Sequence, residues 1–310
     1  MRGMLGSIPS PHSNVVHLGP LTIHMYGVML LLAIFAAVWL IGVRWTRLGG
    51  EFDLVVRVTV WGVAFGVIGA RAYHDLTSWS EVPSPKWKGV FEVWQGGLGV
   101  WGGILLGTLA GVIVIRRSGA SARLFMDTAA PGLLLAQGIG RLGNWWNQEL
   151  FGKKTTLPWG LRIDDAHLPR TSTGGFPPGV FSGTLFQPTF LYELIWDVVG
   201  VLILLWVARR WRIRPPALFA LYVAYYCFGR FFEELLRIDP SHHIFGLRLN
   251  AWVSVIVFVI AVAFFWRWQV QGKGSDPPPP MERKPPKPKK VKPREIPKGP
   301  KMTIPKGRVR

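Results

Sequence analysis

Residues 138–152 read "GIGRLGNWWNQELFG". An apolar run, "PGLLLAQGIG", passes straight into Arg141, Asn144, Asn147, Gln148 and Glu149, with tryptophans interleaved. A second polar set stands in "GRFFEELLRIDP", where Arg230, Glu234 and Arg237 recur at i, i+4 and i+7 and share one stripe of a helix. A guanidinium fork matches phosphate oxygens two at a time, and asparagine amides donate to the oxygens that remain. Arg141 and Arg237 beside Asn144 and Asn147 therefore describe a site for an anion with several oxygen acceptors. In an apolar setting the plentiful anion of that kind is a phospholipid headgroup. Residue chemistry alone leaves a transporter, a lipid-binding scaffold or flippase, and an enzyme open.

Other chemistries lack their residues. The chain has no G-x-S-x-G elbow, no H-E-x-x-H and no P-loop. Its histidines, His12, His17, His24, His74, His167, His242 and His243, fall in no metal-ligand spacing, and neither metal nor cofactor is expected. Asp127 and Asp197 lack the paired context of an intramembrane aspartyl protease. The single cysteine, Cys227 in "LYVAYYCFGR", excludes an intrachain disulfide and reads as an inert residue of an apolar helix.

The elements that must carry these residues are membrane helices. Spanning a bilayer takes about 20 apolar residues, and seven stretches qualify: 21–43, 54–71, 94–115, 123–140, 188–208, 216–236 and 250–268. Basic clusters follow the first ("RWTR"), third ("RRSGASAR"), fifth ("ARRWRIR") and last. With seven spans all four fall on one side, which the positive-inside rule makes the cytoplasm. The fold class expected is all-α: a polytopic membrane protein with about seven transmembrane helices, N-terminus outside, C-terminus cytoplasmic, and a small irregular outer cap. Its parts are an outer segment 1–20, a transmembrane body 21–270 with an outer loop 141–187, and a tail 271–310 rich in proline and lysine.

Charge is concentrated at that end. Residues 267–310 hold fourteen Lys or Arg against three acids, +11 of the chain's +19. Such a tail is expected to be disordered and to meet anionic lipid, or simply to be solvated. The basic balance does not indicate a nucleic-acid partner, because no folded aromatic surface is interleaved with it.

Inside the spans or at their edges lie Arg71, Asp127, Arg141, Glu193, Asp197, Arg230 and Glu234, with Arg237 and His24 close by. A charge at a helix centre costs about 2.5–3.5 kcal/mol on insertion scales. These groups should converge on an interior cavity and neutralise one another, either as a binding site or as glue between helices.

The motif "GRLGNWWNQELFG" resembles the signature of the prolipoprotein diacylglyceryl transferases, G-R-x-G-N-[aromatic]-x-N-x-E-x-x-G, with Gly140, Arg141, Asn144, Asn147, Glu149 and Gly152 in register. Also similar are "HMYG" (Tyr26, Gly27), "GARAYHD", Asp127 fourteen residues before Arg141, "QPTFLYE" (Pro188, Tyr192, Glu193) and "RFFEELLRIDP". The resemblance covers roughly residues 15–268. It implies seven spans in a bacterial plasma (inner) membrane. The implied reaction moves a diacylglyceryl group from phosphatidylglycerol to the thiol of a lipobox cysteine in a prolipoprotein signal peptide, with release of glycerol 1-phosphate. Arg141 and Arg237 would hold the phosphate, with Arg230 and Glu234 in the same site. Asn144 and Asn147 would orient it, and Glu149 and Gly152 would shape the loop around it. Three positions depart from the family: Trp101 and Gln187 stand where it carries histidines, and His24 where it has an arginine. Thiol deprotonation is therefore expected not to use a histidine in the third span, leaving His24, Tyr26 and Glu149 as candidates.

Overall fold

The computed structural model describes residues 6–93, 96–171 and 173–276. In chain order the elements are β1 (Ile8–Pro9), β2 (Val15–Leu18), β3 (Leu21–His24), α1 (Met25–Arg47), α2 (Phe52–Thr77), the single turn α3 (Lys86–Gly89), α4 (Val100–Arg117), α5 (Ala122–Asn147), β4 (Leu161–Arg162), β5 (Leu185–Phe186), α6 (Thr189–Arg210), α7 (Ala217–Leu236), β6 (His243–Ile244), β7 (Leu247–Arg248) and α8 (Leu249–Phe265). The protein is mostly helical. Among the described residues, five helices are long and apolar enough to cross a membrane: α1, α2, α4, α6, and α8 with the turn that extends it to Val270.

The two long helices outside that group, α5 and α7, carry the polar motifs. They also occupy the interior. One apolar cluster joins Ala37, Ile41 and Trp45 of α1 to Leu54 and Val55 of α2, Ile115 of α4, and Phe125 and Ala129 of α5. A second joins Ala130 and Leu134 of α5 to Val201 and Leu204 of α6 and to Leu218 and Tyr222 of α7. Helix α5 therefore runs through both. Leucines, phenylalanines and tryptophans such as Leu31, Phe35, Trp39, Leu202 and Trp206 lie exposed on the outer helices, the arrangement lipid favours and water does not. Glycine lets α2 and α4 touch backbone to backbone. A Cβ on Gly69 would sit 2.3 Å from the Gly102 carbonyl oxygen, and one on Gly102 would sit 2.1 Å from that of Gly69.

Pro131 interrupts α5, and its ring nitrogen cannot donate to the carbonyl of Asp127 one turn earlier. Arg44, buried on α1, fills the gap: its Nη2 donates to the Asp127 carbonyl at 3.2 Å and its Nε to the Thr128 carbonyl at 3.0 Å. The Asp127 carboxylate accepts from the Phe219 backbone N–H at 2.8 Å, in the open first turn of α7. So Asp127 stays out of the expected cavity. Fourteen residues of helix, about 21 Å, separate it from Arg141.

Other expectations change at their edges. The chain is not purely helical: residues 15–18 and 21–24 pair antiparallel from Val15↔His24 to Leu18↔Leu21, which delays α1 to Met25 instead of 21. The seven strands among the described residues, of two to four residues each, are too short for apolar alternation to reveal. The helix expected over 94–115 begins at Val100. Arg141, Asn144 and Asn147 lie on α5, so the loop expected from 141 starts at Gln148. From 277 onward the basic tail lies outside the described residues.

Candidate active site

Helix α5 ends in a left-handed residue, Gln148 (φ 53°), and Leu150 (φ 59°) repeats the conformation. Side chains without β-branching tolerate this only when held. Gln148 is held at both ends of its amide: Nε2 donates to Asp164 Oδ2 and to the Pro11 carbonyl at 2.8 Å, and Oε1 accepts from the Asp164 N–H at 2.7 Å. The Gln148 amide, with His12 behind it, keeps the Asp164 carboxyl below its usual range. The chain then turns back on itself. Gly152 N–H donates to the Gln187 carbonyl at 2.9 Å and Lys153 N–H to the Leu236 carbonyl at 2.8 Å, which stitches the signature loop to the end of α7 beside Arg237. A Cβ on Gly152 would meet Gln187 Cβ at 2.8 Å and the Leu236 carbonyl at 3.1 Å, so only glycine fits.

The signature side chains form one chain of hydrogen bonds. Arg141 Nη1 donates to Asn144 Oδ1 at 3.4 Å, Asn144 Nδ2 to Glu149 Oε1 at 2.8 Å, and Asn147 Nδ2 to the same oxygen at 3.2 Å. Asn14, before β2, donates to Asn147 Oδ1 at 3.3 Å. Tyr26 of α1 lies across Gly143, where an added Cβ would be 2.6 Å from its ring. The expected residues Tyr26, Arg141, Asn144, Asn147, Glu149 and Gly152 are thus gathered at one end of α5. Exposed His24, on the last residue of β3, makes no side-chain bond to the N-terminus of α1.

Arg141 opens into a second network. Its Nη2 lies 2.5 Å from Glu193 Oε1 on α6, and Tyr226 donates to that oxygen at 3.5 Å. The other oxygen of Glu193 is 3.3 Å from Arg230 Nη1. Arg230 Nη1 is also 2.7 Å from Glu233, and its Nη2 binds Glu234. Glu234, only 1% exposed, meets three guanidiniums: Arg230, Arg237 at 3.7 Å and Arg248 at 2.7 Å. Asp239 closes the set, 2.7 Å from both Arg237 and Arg248. Burial would raise the Asp239 carboxyl, but the hydrogen bonds and charges of Arg237 and Arg248 outweigh it and hold it below the ordinary range.

Some predicted charges stay apart from this network. Arg71 folds onto the loop after α2, donating to the carbonyls of Val90 and Gly96 at 3.1 and 2.7 Å and pairing with Asp75 at 3.1 Å. Asp197 is fully buried one turn beyond Glu193, with no hydrogen-bond partner for either oxygen among the described residues. Trp101, 54% exposed in the first turn of α4, brings no titrating group to the family's histidine position. Sequence reasoning missed Glu233, Asp239 and Arg248. Glu233 stood three residues from Arg230, a helical ion-pair spacing that gave the only signal; Arg248 reaches the cluster through a hairpin that nothing in the sequence announced. Among the described residues no His, Cys, Asp or Glu cluster suits a metal, because guanidiniums fill the space between the carboxylates.

Two things coincide: a hydrogen-bonded signature loop, and buried and half-buried arginines arranged around it. The sequence pattern of the prolipoprotein diacylglyceryl transferases matches residues 13–267. The chain belongs to the prolipoprotein diacylglyceryl transferase family. It is 46% identical over 256 residues to phosphatidylglycerol–prolipoprotein diacylglyceryl transferase 2 of Streptomyces coelicolor, covering 82% of this chain and 78% of that one. Over 254 residues it is 48% identical to the phosphatidylglycerol–prolipoprotein diacylglyceryl transferase of Cutibacterium acnes, covering 81% and 83%. Its match to the transferase of the same name in Bifidobacterium adolescentis is 44% over 263 residues, covering 82% and 77%. Family membership makes the chain a diacylglyceryl transferase of lipoprotein maturation, and its five long apolar helices make it a multi-pass protein of the bacterial inner membrane.

Proposed function

We propose that the chain transfers the diacylglyceryl group of phosphatidylglycerol to the thiol of a lipobox cysteine in a prolipoprotein signal peptide, releasing glycerol 1-phosphate. The observation that carries this reading is the bridging of Arg141 and Arg230 by Glu193 at the mouth of the signature loop. Two guanidiniums a carboxylate apart can grip a phosphate, and their charge favours it most as it departs with both oxygens ionised. Arg237 completes the cationic wall through Glu234. Asn144 keeps one amide hydrogen on Glu149 and can turn the other to a phosphate oxygen. Tyr26, Asn147 and Gly152 fix the loop.

The body 21–270 crosses the membrane seven times in this reading, with residues 1–20 outside and the tail 271–310 in the cytoplasm. Support comes from arginines in the last turns of alternate helices: Arg44 and Arg47 of α1, Arg116 and Arg117 of α4, Arg209 and Arg210 of α6. The site then opens outside, where the short strands form the cap.

The test uses purified protein in detergent with phosphatidylglycerol and a lipobox peptide bearing one cysteine. Mass spectrometry reads the diacylglyceryl adduct, and a coupled assay reads glycerol phosphate. An adduct with the wild-type protein that is lost with Arg141→Ala is the expected result. Lipid binding without an adduct would make the protein a lipid binder or flippase.

A further inference from the structure

The largely buried cluster holds four guanidiniums, Arg141, Arg230, Arg237 and Arg248, and four carboxyl groups, Glu193, Glu233, Glu234 and Asp239. Fully ionised, it would be neutral and have no charge to spare for a phosphate. One contact alters that count. Glu193 and Glu233 both lie on a single nitrogen, Arg230 Nη1, at 3.3 and 2.7 Å. Two carboxylates crowded onto one donor repel each other, and sharing a proton between them relieves that repulsion. With that one proton the cluster carries a single positive charge, the complement of one phosphodiester.

The reaction then changes the ligand's charge. As carbon–sulfur bonding replaces the carbon–oxygen bond, the electron pair stays on the phosphate oxygen and the phosphate gains a second negative charge. The thiol meanwhile gives up a proton. If that proton goes to the carboxyl pair, both of its members are neutral and the cluster carries two positive charges. Cluster and phosphate together remain neutral before and after, which matters where charges are poorly screened.

Resting on the transferase reading above, we propose that Glu193 and Glu233 form a proton-sharing pair that receives the proton lost by the substrate thiol. The alternatives are less suited. Glu149 is committed to two amide donors on one oxygen, His24 is exposed at the end of β3, and the Trp101 position cannot titrate. Facing the pair are Arg141 from α5, Asp197 from α6 and Tyr226, Arg230 and Glu234 from α7, with Arg237 and Arg248 behind Glu234. Three of the nearest are cations or hydrogen-bond donors that remain in place when the pair fills.

The test is Glu233→Gln, which keeps the hydrogen bonds but cannot take up a proton. Transfer of diacylglyceryl to a cysteine peptide is measured across pH, with kcat and the lipid KM separated. Loss of about a hundredfold in kcat, a kcat profile that loses its acidic limb, and a lipid KM within about threefold of wild type are expected. Glu233→Asp should recover part of the rate with the limb displaced. Wild-type kcat and profile in Glu233→Gln would overturn the proposal, as would a lower kcat with an unshifted profile, which marks a merely structural residue. If Glu233→Gln does not fold, Glu233→Asp decides: an unshifted profile overturns the proposal. A wild-type protein that forms no adduct at any pH overturns the transferase reading and this proposal together; a wild-type adduct with an indifferent Glu233 removes this proposal only.

Discussion

Glu193 binds Arg141 with one carboxylate oxygen, at 2.5 Å, and Arg230 with the other, at 3.3 Å. One side chain on α6 thereby fixes the spacing of two guanidiniums on α5 and α7. Removing one partner from a buried ionic group leaves the rest uncompensated, at a cost of about 3–5 kcal/mol. Glu193→Ala should therefore lower the thermal midpoint in detergent. Added phosphatidylglycerol should recover more of that loss than it adds to wild type, since the phosphate takes over the counter-charge. An equal lipid effect on both proteins would argue that phosphate does not reach these arginines.

Gly152 has no room for a methyl group, with Gln187 Cβ and the Leu236 carbonyl within 3.1 Å of where it would sit. Gly152→Ala must push the signature loop off the end of α7. Overpacking of this kind costs about 1–3 kcal/mol. Transfer activity should fall well beyond what that instability explains, because the loop's bond to the Leu236 carbonyl, beside Arg237, is what moves. Full activity in the folded fraction would contradict the role given to this seam.

Arg44→Ala leaves the Asp127 carbonyl without its donor, at about 1–3 kcal/mol, and removes a second bond to the Thr128 carbonyl. Because the Asp127 carbonyl needs Arg44 only on account of Pro131, Arg44→Ala with Pro131→Ala should lose less than the sum of the single changes. Thermal unfolding of the four proteins closes the cycle. Strict additivity would mean the arginine is not compensating for the proline.

Asp239 is held below the ordinary carboxylate range by Arg237 and Arg248. A carboxyl depressed in the folded state contributes stability above its unfolded value, and that contribution is lost as pH falls through its folded value. The stability gap between wild type and Asp239→Asn should thus be widest near neutral pH and close below about pH 4. Thermal unfolding of both proteins across that window checks it. A gap that stays constant would mean the pair with Arg237 carries no charge dependence.

Long apolar runs and the distribution of arginines made the helices legible in the sequence, because lipid imposes length and hydropathy on every span. Arg141, Asn144, Asn147, Glu149 and Gly152 were legible as a group because they lie close together in one short stretch, 141–152. Arg230 and Glu234 could be placed on one face from helical period alone. What could not be read was which charges meet across helices. Asp127 looked like a cavity residue and instead caps α7, since nothing local to it names Phe219 as its partner. Arg248 and Asp239 enter the cluster through tertiary folding of the segment after α7, where two-residue strands leave no periodic trace.

The interior position of α5 and α7 also constrains how the chain is built. Synthesis delivers Arg141 on α5 first, its acid Glu193 on α6 next, then Arg230, Glu233 and Glu234 on α7, and Arg248 last. Each new segment brings charge that answers the one before it, so an emerging chain never has to leave a completed but unanswered set of charges in lipid for long. A nascent chain stopped before α6 would hold Arg141 with no acid beside it. The order of the charges along the polypeptide is thus also an order of assembly.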